Sequence, residues 1–204
     1  MGKNLKLCFL VITTICYTHL FAQVFDKPEK KFAVMAGANV SNMNFNNSIT
    51  STATPQAASW KPGISIGCLV RIELMENLYL QPEYYYLQRN GDDKSKGIKY
   101  TNNYLSLPVL LNYNFYSRFA IVAGPQFDLL INARSTDNGI NTSITHDVEE
   151  RSIGATVGLQ ADVTESFFAS IRYMHGLNHI GIGQRSNVKE FKYQGISLLA
   201  GIRF

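Results

Sequence analysis

The chain has 204 residues, 46% of them hydrophobic and 17% charged, with a net charge of +4 and a mean hydropathy of −0.06. That length holds one domain of barrel or sandwich size, and so small a charge excess argues for no polyanionic partner such as nucleic acid. Beyond the N-terminal segment there is no apolar run of about 18 residues, which excludes transmembrane helices, and three cysteines are too few for a disulfide scaffold.

Residues 1–22 read as a cleaved signal peptide. Lys3 and Lys6 supply the positive start, residues 7–20 a mostly apolar stretch, and Leu20-Phe21-Ala22 before Gln23 a cleavage site. The stretch is too short to span a bilayer as a helix. Ile15 before Cys16 is not the small residue that lipoprotein processing requires. The remaining domain, residues 23–204, has 182 residues, a net charge of +2 and one cysteine, Cys68. No intrachain disulfide is possible, so stability must come from another source, and a closed hydrogen-bonded barrel in lipid supplies it.

Eight segments then alternate with period two, at 32–41, 61–74, 78–90, 102–115, 118–132, 151–163, 167–178 and 192–204. Their connections alternate in length. Met75-Glu76-Asn77, Tyr116-Ser117 and Thr164-Glu165-Ser166 are tight turns, whereas 42–60, 91–101, 133–150 and 179–191 are long and polar. Short turns at one end, long loops at the other and both termini at the short end predict an all-β fold, an eight-stranded antiparallel up-and-down transmembrane β-barrel.

One face of the segments is apolar throughout, as in Ile64, Ile66, Cys68, Val70, Ile72 and Leu74, or Leu105, Leu107, Val109, Leu111, Tyr113 and Phe115. The other collects Gln81, Asn112, Gln126 and Gln160 with the charges Arg71, Glu73, Glu83, Asp128, Asp162, Arg172 and Arg203. In a soluble lipocalin-like barrel that second face would meet water and the apolar face would line a ligand cavity. In a membrane barrel the charges point inward and must neutralise one another, because unpaired buried charges are costly. Aromatic placement favours the membrane reading. Phe32, Phe115, Phe119, Phe167 and Phe204 fall at the short-turn end as one girdle, and Tyr84, Tyr86, Phe127 and Tyr173 near the long loops as the other. The last strand, KYQGISLLAGIRF, ends on Phe204, an aromatic terminus facing lipid. Pro82, Pro108 and Pro125 sit inside three adjacent strands of a barrel without edges, where bulges or locally unpaired positions must accommodate them.

Several pieces resemble the PorT-like, or porin-family, outer-membrane β-barrel proteins of Bacteroidota: Gly37-Ala38-Asn39-Val40-Ser41, Lys61-Pro62-Gly63 and Leu78-Tyr79-Leu80-Gln81-Pro82-Glu83. So do Tyr104-Leu105-Ser106-Leu107-Pro108-Val109-Leu110-Leu111, Ala123-Gly124-Pro125, Arg172-Tyr173 with Gly176-Leu177, and Gly201-Ile202-Arg203-Phe204. The resemblance implies an outer-membrane location among outer-membrane lipid, an eight-stranded barrel, and passage through the barrel assembly machinery, which in such barrels reads a terminal aromatic like Phe204; the basic loop residues Lys94, Lys96, Lys99, Arg134, Arg185 and Lys189 are available to lipopolysaccharide phosphates. It implies no shared activity, although one namesake belongs to a protein secretion and gliding machinery.

No enzyme signature, cofactor motif or metal site is expected. His175 and His179 lie four apart near a strand end, about 13 Å along it, too far to share a metal. A loop site recruiting His179 with Ser186, or His146 with Asp147, has no recognisable pattern behind it. Gly37, Gly67, Gly124, Gly154, Gly158, Gly195 and Gly201 are expected to make room inside a narrow barrel. Eight strands leave an interior that side chains fill. The expectation is therefore a structural or interaction role with a plugged lumen; the alternatives are a small channel or a secretion-machinery component.

Overall fold

Alternation of apolar and polar residues with frequent β-branched and aromatic side chains gives strands throughout. In the computed structural model of the protein, the described residues are 31–45, 59–93, 97–137, 139–146, 150–177 and 191–204, and they contain no helix. The signal-peptide segment lies outside them. The strands are β1 (Phe32–Phe45), β2 (Lys61–Val70), β3 (Ile72–Met75), β4 (Leu78–Asp93), β5 (Ile98–Tyr116), β6 (Phe119–Asp137), β7 (Ile140–Ser143), β8 (Arg151–Asp162), β9 (Phe167–Gly176) and β10 (Phe191–Arg203).

Their order is β2-β1-β10-β9-β8-β6-β5-β4, and β2 pairs in turn with β4, which closes an eight-stranded antiparallel barrel. β3 continues β2 against β4 after a break at Arg71, whose N–H donates to the Lys31 carbonyl at 2.7 Å. The first and last strands pair, with Ala33 opposite Arg203 and the Phe204 N–H donating to the Phe32 carbonyl at 2.8 Å.

The outward faces carry the large aliphatic and aromatic side chains, among them Ile66 and Leu198 at 60% and 61% exposure. So wide an exposed apolar band is compatible with lipid and not with water. On β5 the outward apolar row covers residues 105–115, about the 9–11 residues that a tilted strand needs to cross the hydrocarbon. At its lower edge, the ring centroids of Phe115 and Phe119 are 6.4 Å apart and those of Phe32 and Phe204 6.3 Å apart, so the aromatics of the tight-turn end pack as neighbours.

Above the band the strands continue and the pattern inverts, so the expected loops need correction; β1 runs on to Phe45 and β10 begins at Phe191, which shortens 42–60 and 179–191. Residues 91–101 and 133–150 are not loops throughout: β4 runs to Asp93, β5 begins at Ile98, and β6 runs to Asp137, where β7 turns back onto it. A β-bulge between Asn103 and Tyr104 marks the change on the β5–β6 ladder. Above it the outward positions are polar, with Asn103 opposite Asn132, Thr101 opposite Arg134 and Lys99 opposite Thr136. The inward positions are apolar apart from the buried Asn102. Tyr100, Tyr104, Ala133 and Ile144 are buried together, with Ile98 and Leu130 packed against them. Tyr86 stands at the border, its ring outward in the apolar band and its hydroxyl donating to Asn103 Oδ1 at 2.7 Å.

The three prolines are accommodated without bulges. On the β4–β5 ladder pairing passes from Pro82↔Val109 to Tyr85↔Ser106, and on β5–β6 from Pro108↔Gln126 to Leu111↔Ala123. Two pairs are skipped each time and the register is unchanged, which is what a missing N–H donor alone produces. The bulges fall elsewhere, at Glu73/Met75, Asn103/Tyr104 and Asn114/Tyr116.

Candidate functional site

The lumen holds the concentration of chemistry in this chain. Gln81, Glu83, Tyr85, Leu87 and Arg89 alternate inward along β4 and climb the barrel from the tight-turn end. Their partners come from strands across the interior. Arg172 on β9, diametrically opposite β4 in the ring, places Nη1 2.5 Å from Glu83 Oε2. Glu83 Oε1 also accepts from Gln81 Nε2 at 2.6 Å, Asn112 donates to Gln81 Oε1 at 2.8 Å, and Arg172 Nε donates to Ser170 Oγ at 3.0 Å. Each member is buried, with Arg172 at 3% exposure. A charge pair this enclosed is costly to the extent that its remaining donors and lone pairs go unengaged, and here Gln81 and Ser170 engage most of them.

One level higher, Arg89 Nη2 lies 2.8 Å from Asp128 Oδ2. Asp128 Oδ1 accepts from Ser106 at 2.5 Å and Gln126 at 2.9 Å, and Thr156 completes the chain to Gln126 at 2.6 Å. The Arg89 guanidinium stands over the rings of Tyr193 and Tyr104, at 4.8 and 5.3 Å. The Tyr193 hydroxyl accepts from Asn102 Nδ2 at 2.7 Å, a second bond across opposite strands, β5 to β10. Near the tight-turn end, Arg203 Nη2 lies 2.6 Å from Asp162 Oδ1, with its guanidinium 4.8 Å from the Phe168 ring centroid. Phe168 occupies the space over Gly201, where an added Cβ would come within 2.3 Å of the ring. At Gly67 an added Cβ would come within 2.2 Å of both the Tyr84 carbonyl oxygen and Tyr85 Cβ, so the glycine lets the β4 backbone approach.

Of the seven charges placed inward from sequence, the structure joins four into two ion pairs, Glu83 with Arg172 and Asp162 with Arg203. Asp128 is paired too, but with Arg89, which the sequence reading omitted although it shares the parity of Glu83. Arg71 is half-buried with its guanidinium 4.0 Å over the Tyr79 ring. Glu73 is not part of a buried network. It is exposed at the end of the barrel, where β3 shifts register before Met75.

Around Arg89 and Arg172 a cavity of about 20 Å³ remains, bordered also by Ser41, Thr156 and Ser197. That is room for about one water molecule and for no larger solute. Arg89 Nη1 and Arg172 Nη2 have no hydrogen-bond partner among the described residues.

At the long-loop end, Asp92 pairs with Lys61 at 2.8 Å and accepts from Ser59 Oγ at 2.5 Å. Burial pushes this carboxyl up, but the hydrogen bonds from Lys61 and Ser59 and the Lys61 charge outweigh it and hold Asp92 below its ordinary value. Beside it Asn90 Nδ2 donates to the Pro62 carbonyl at 2.7 Å and Ser41 Oγ to the Asn90 carbonyl at 2.8 Å, so β1, β2 and β4 are tied together where the first loop begins.

His146 and His175 are exposed, and the Tyr173 hydroxyl lies 3.3 Å from His175 Nδ1. Asp147, His179 and Ser186 lie outside the described residues. Among the described residues, no group of three or more His, Cys, Asp and Glu side chains is placed to hold a metal ion.

Comparison with known proteins agrees with this architecture. The family model described as outer membrane protein beta-barrel domain matches residues 21–181. Among solved structures, Neisserial surface protein A is similar at 16% identity and a TM-score of 0.50, over 85% of this chain and 97% of that one. Ail, the attachment invasion locus protein of Yersinia pestis, is 15% identical with a TM-score of 0.49, over 85% of this chain and 98% of that one. OprG from Pseudomonas aeruginosa is 11% identical with a TM-score of 0.47, over 85% and 95%. No curated protein matches the chain.

Proposed function

The chain belongs to the outer membrane protein beta-barrel domain family and resides in the outer membrane, and from that premise we propose a non-enzymatic role in which the barrel is a rigid, plugged support for its extracellular surface. The observation that carries this reading is the pair of polar ties across opposite walls, Glu83 to Arg172 and Asn102 to Tyr193. Each fills the lumen at its own level, and the cavity between them is too small for a hydrated ion. A selective pore favours one sign of charge along an open path; here Arg89, Arg172 and Arg203 are matched by Asp128, Glu83 and Asp162. In planar bilayers the purified protein is expected to give no unitary current steps. Reproducible steps with a defined ion selectivity would overturn the plugged reading in favour of a small channel.

The narrower affiliation, with the PorT-like barrels, rests on the sequence motifs around Pro82, Pro108 and Pro125. The prolines interrupt hydrogen bonding without changing the register. A place in a secretion machinery is the interaction role that affiliation suggests, and recovery of secretion components by crosslinking in native membranes is its test.

For biogenesis, we propose that Phe204 is the residue that the barrel assembly machinery reads. It is 64% exposed, packs 6.3 Å from Phe32 and follows the strand that closes the barrel. Phe204→Ala is expected to lower the folded, heat-modifiable fraction in cells several-fold while leaving refolding in detergent nearly unchanged. Equal folded fractions in cells would exclude the role.

A further inference from the structure

The small cavity in the lumen is electrically one-sided. It is lined by Arg89 and Arg172, whereas neither of their carboxylates, Asp128 and Glu83, borders it. Both ion pairs therefore turn their positive ends toward the same space. Arg89 Nη1 and Arg172 Nη2, on side chains that are each 3% exposed, have no hydrogen-bond partner among the described residues. Two cationic donors without acceptors, in an interior of low dielectric, favour a negative ligand. The rest of the polar wall does little to answer them. Ser41 Oγ and Thr156 Oγ1 already give their protons to the Asn90 carbonyl and Gln126 Oε1. Asn39 Oδ1, an unpartnered acceptor of the lining, lies against the β2 backbone, 2.9 Å from where a Cβ would stand on Gly63.

The space itself is kept open by a glycine that backbone packing does not demand. Gly195 of β10 is buried, has inward parity and lines the cavity. Within 4 Å, a Cβ added there would meet only the Val40 carbonyl oxygen, at an ordinary contact distance of 3.5 Å. At Gly67 and Gly201, by contrast, neighbouring atoms already occupy that room. A volume of about 20 Å³ takes one monatomic ion stripped of its hydration shell, in place of a water molecule. We propose that the lumen binds a dehydrated halide, chloride being the abundant one, between Arg89 Nη1 and Arg172 Nη2, and that the ion ties the two ion-pair levels together. Such an ion adds to the plug and opens no path, so absence of conductance and halide binding can each fail without the other.

The test follows urea unfolding of the full barrel in a non-ionic detergent, at constant ionic strength, while chloride replaces gluconate, an anion too large for the cavity. From about 1 to about 100 mM chloride the folded-to-unfolded ratio of the wild type is expected to rise roughly tenfold, as one site with an affinity of about 10 mM requires. Gly195→Val puts a side chain into the same space and leaves all four charges in place, so it is expected to keep heat-modifiable migration and to lose the chloride dependence. In crystals grown with bromide instead of chloride, anomalous scattering is expected to place a peak between the two guanidinium groups. A wild type whose stability does not distinguish chloride from gluconate would overturn the proposal, and so would the absence of a bromide peak; either result leaves only water in the cavity. An undiminished chloride response in folded Gly195→Val would overturn it as well, because the ion would then bind elsewhere. If Gly195→Val does not fold, the two wild-type measurements decide.

Discussion

Arg172→Ala is expected to destabilise the folded barrel by about 3–5 kcal/mol, because it removes one side of a fully buried ion pair and leaves the other charged. Glu83 would keep Gln81 as a donor but lose its only cation among the described residues, 2.5 Å away across the lumen. The loss is felt across the whole barrel, since β4 and β9 are opposite walls and not neighbours in the sheet. Unfolding in urea from detergent micelles, followed by heat-modifiable migration and by the fluorescence of Trp60, the one tryptophan, measures it. A shift worth less than about 1 kcal/mol would place the Arg172–Glu83 pair in a wet, forgiving environment.

Asp128→Ala is expected to have an effect of the same size, about 3–5 kcal/mol, by the opposite route. Here a cation is left alone: Arg89 would retain only the faces of Tyr104 and Tyr193, at 5.3 and 4.8 Å. Ser106 and Gln126 would lose their common acceptor as well. Asp128→Asn separates the two contributions, because an amide keeps an acceptor for Ser106 and removes the charge. Its loss should fall between the wild type and Asp128→Ala. Equal stability of Asp128→Asn and the wild type would mean that the charge contributes nothing.

The crossing strands were legible in the sequence because lipid imposes one rule on them: outward positions such as Leu105 to Tyr113 or Ile153 to Leu159 must be apolar every second residue. The tight turns followed from the gaps between those rows. What escaped was the part of the sheet that lipid does not touch. Above the bulge at Asn103/Tyr104 the apolar residues switch to the inside, so a reading keyed to outward hydrophobicity takes residues 91–101 and 133–150 for loops. Alternation itself persists there, in Ile98, Tyr100, Asn102 and Tyr104, and was the available signal. Within the lumen, parity identifies who points inward but not who meets whom. Arg89 follows Glu83 at even spacing and was visible by that count, yet its partner Asp128 lies two strands away, at a height set by strand tilt and register. Glu73 has inward parity and is exposed, because at the rim an inward position opens to water. The prolines mark where hydrogen bonds are lost, but only the unchanged register on both sides shows that no residue is inserted.

The measurement that bears most directly on a lumen closed by paired charges is a double-mutant cycle on Arg172 and Glu83, read as unfolding free energy in detergent. Arg172→Met and Glu83→Gln keep much of the volume, and Gln retains an acceptor for Gln81. Each single variant strands one full charge and is expected to lose on the order of 3–5 kcal/mol, and the double variant to regain most of that loss because no charge is left buried alone. A double variant that loses the full sum of the two single losses would contradict a paired plug, since the two residues would then act independently of each other.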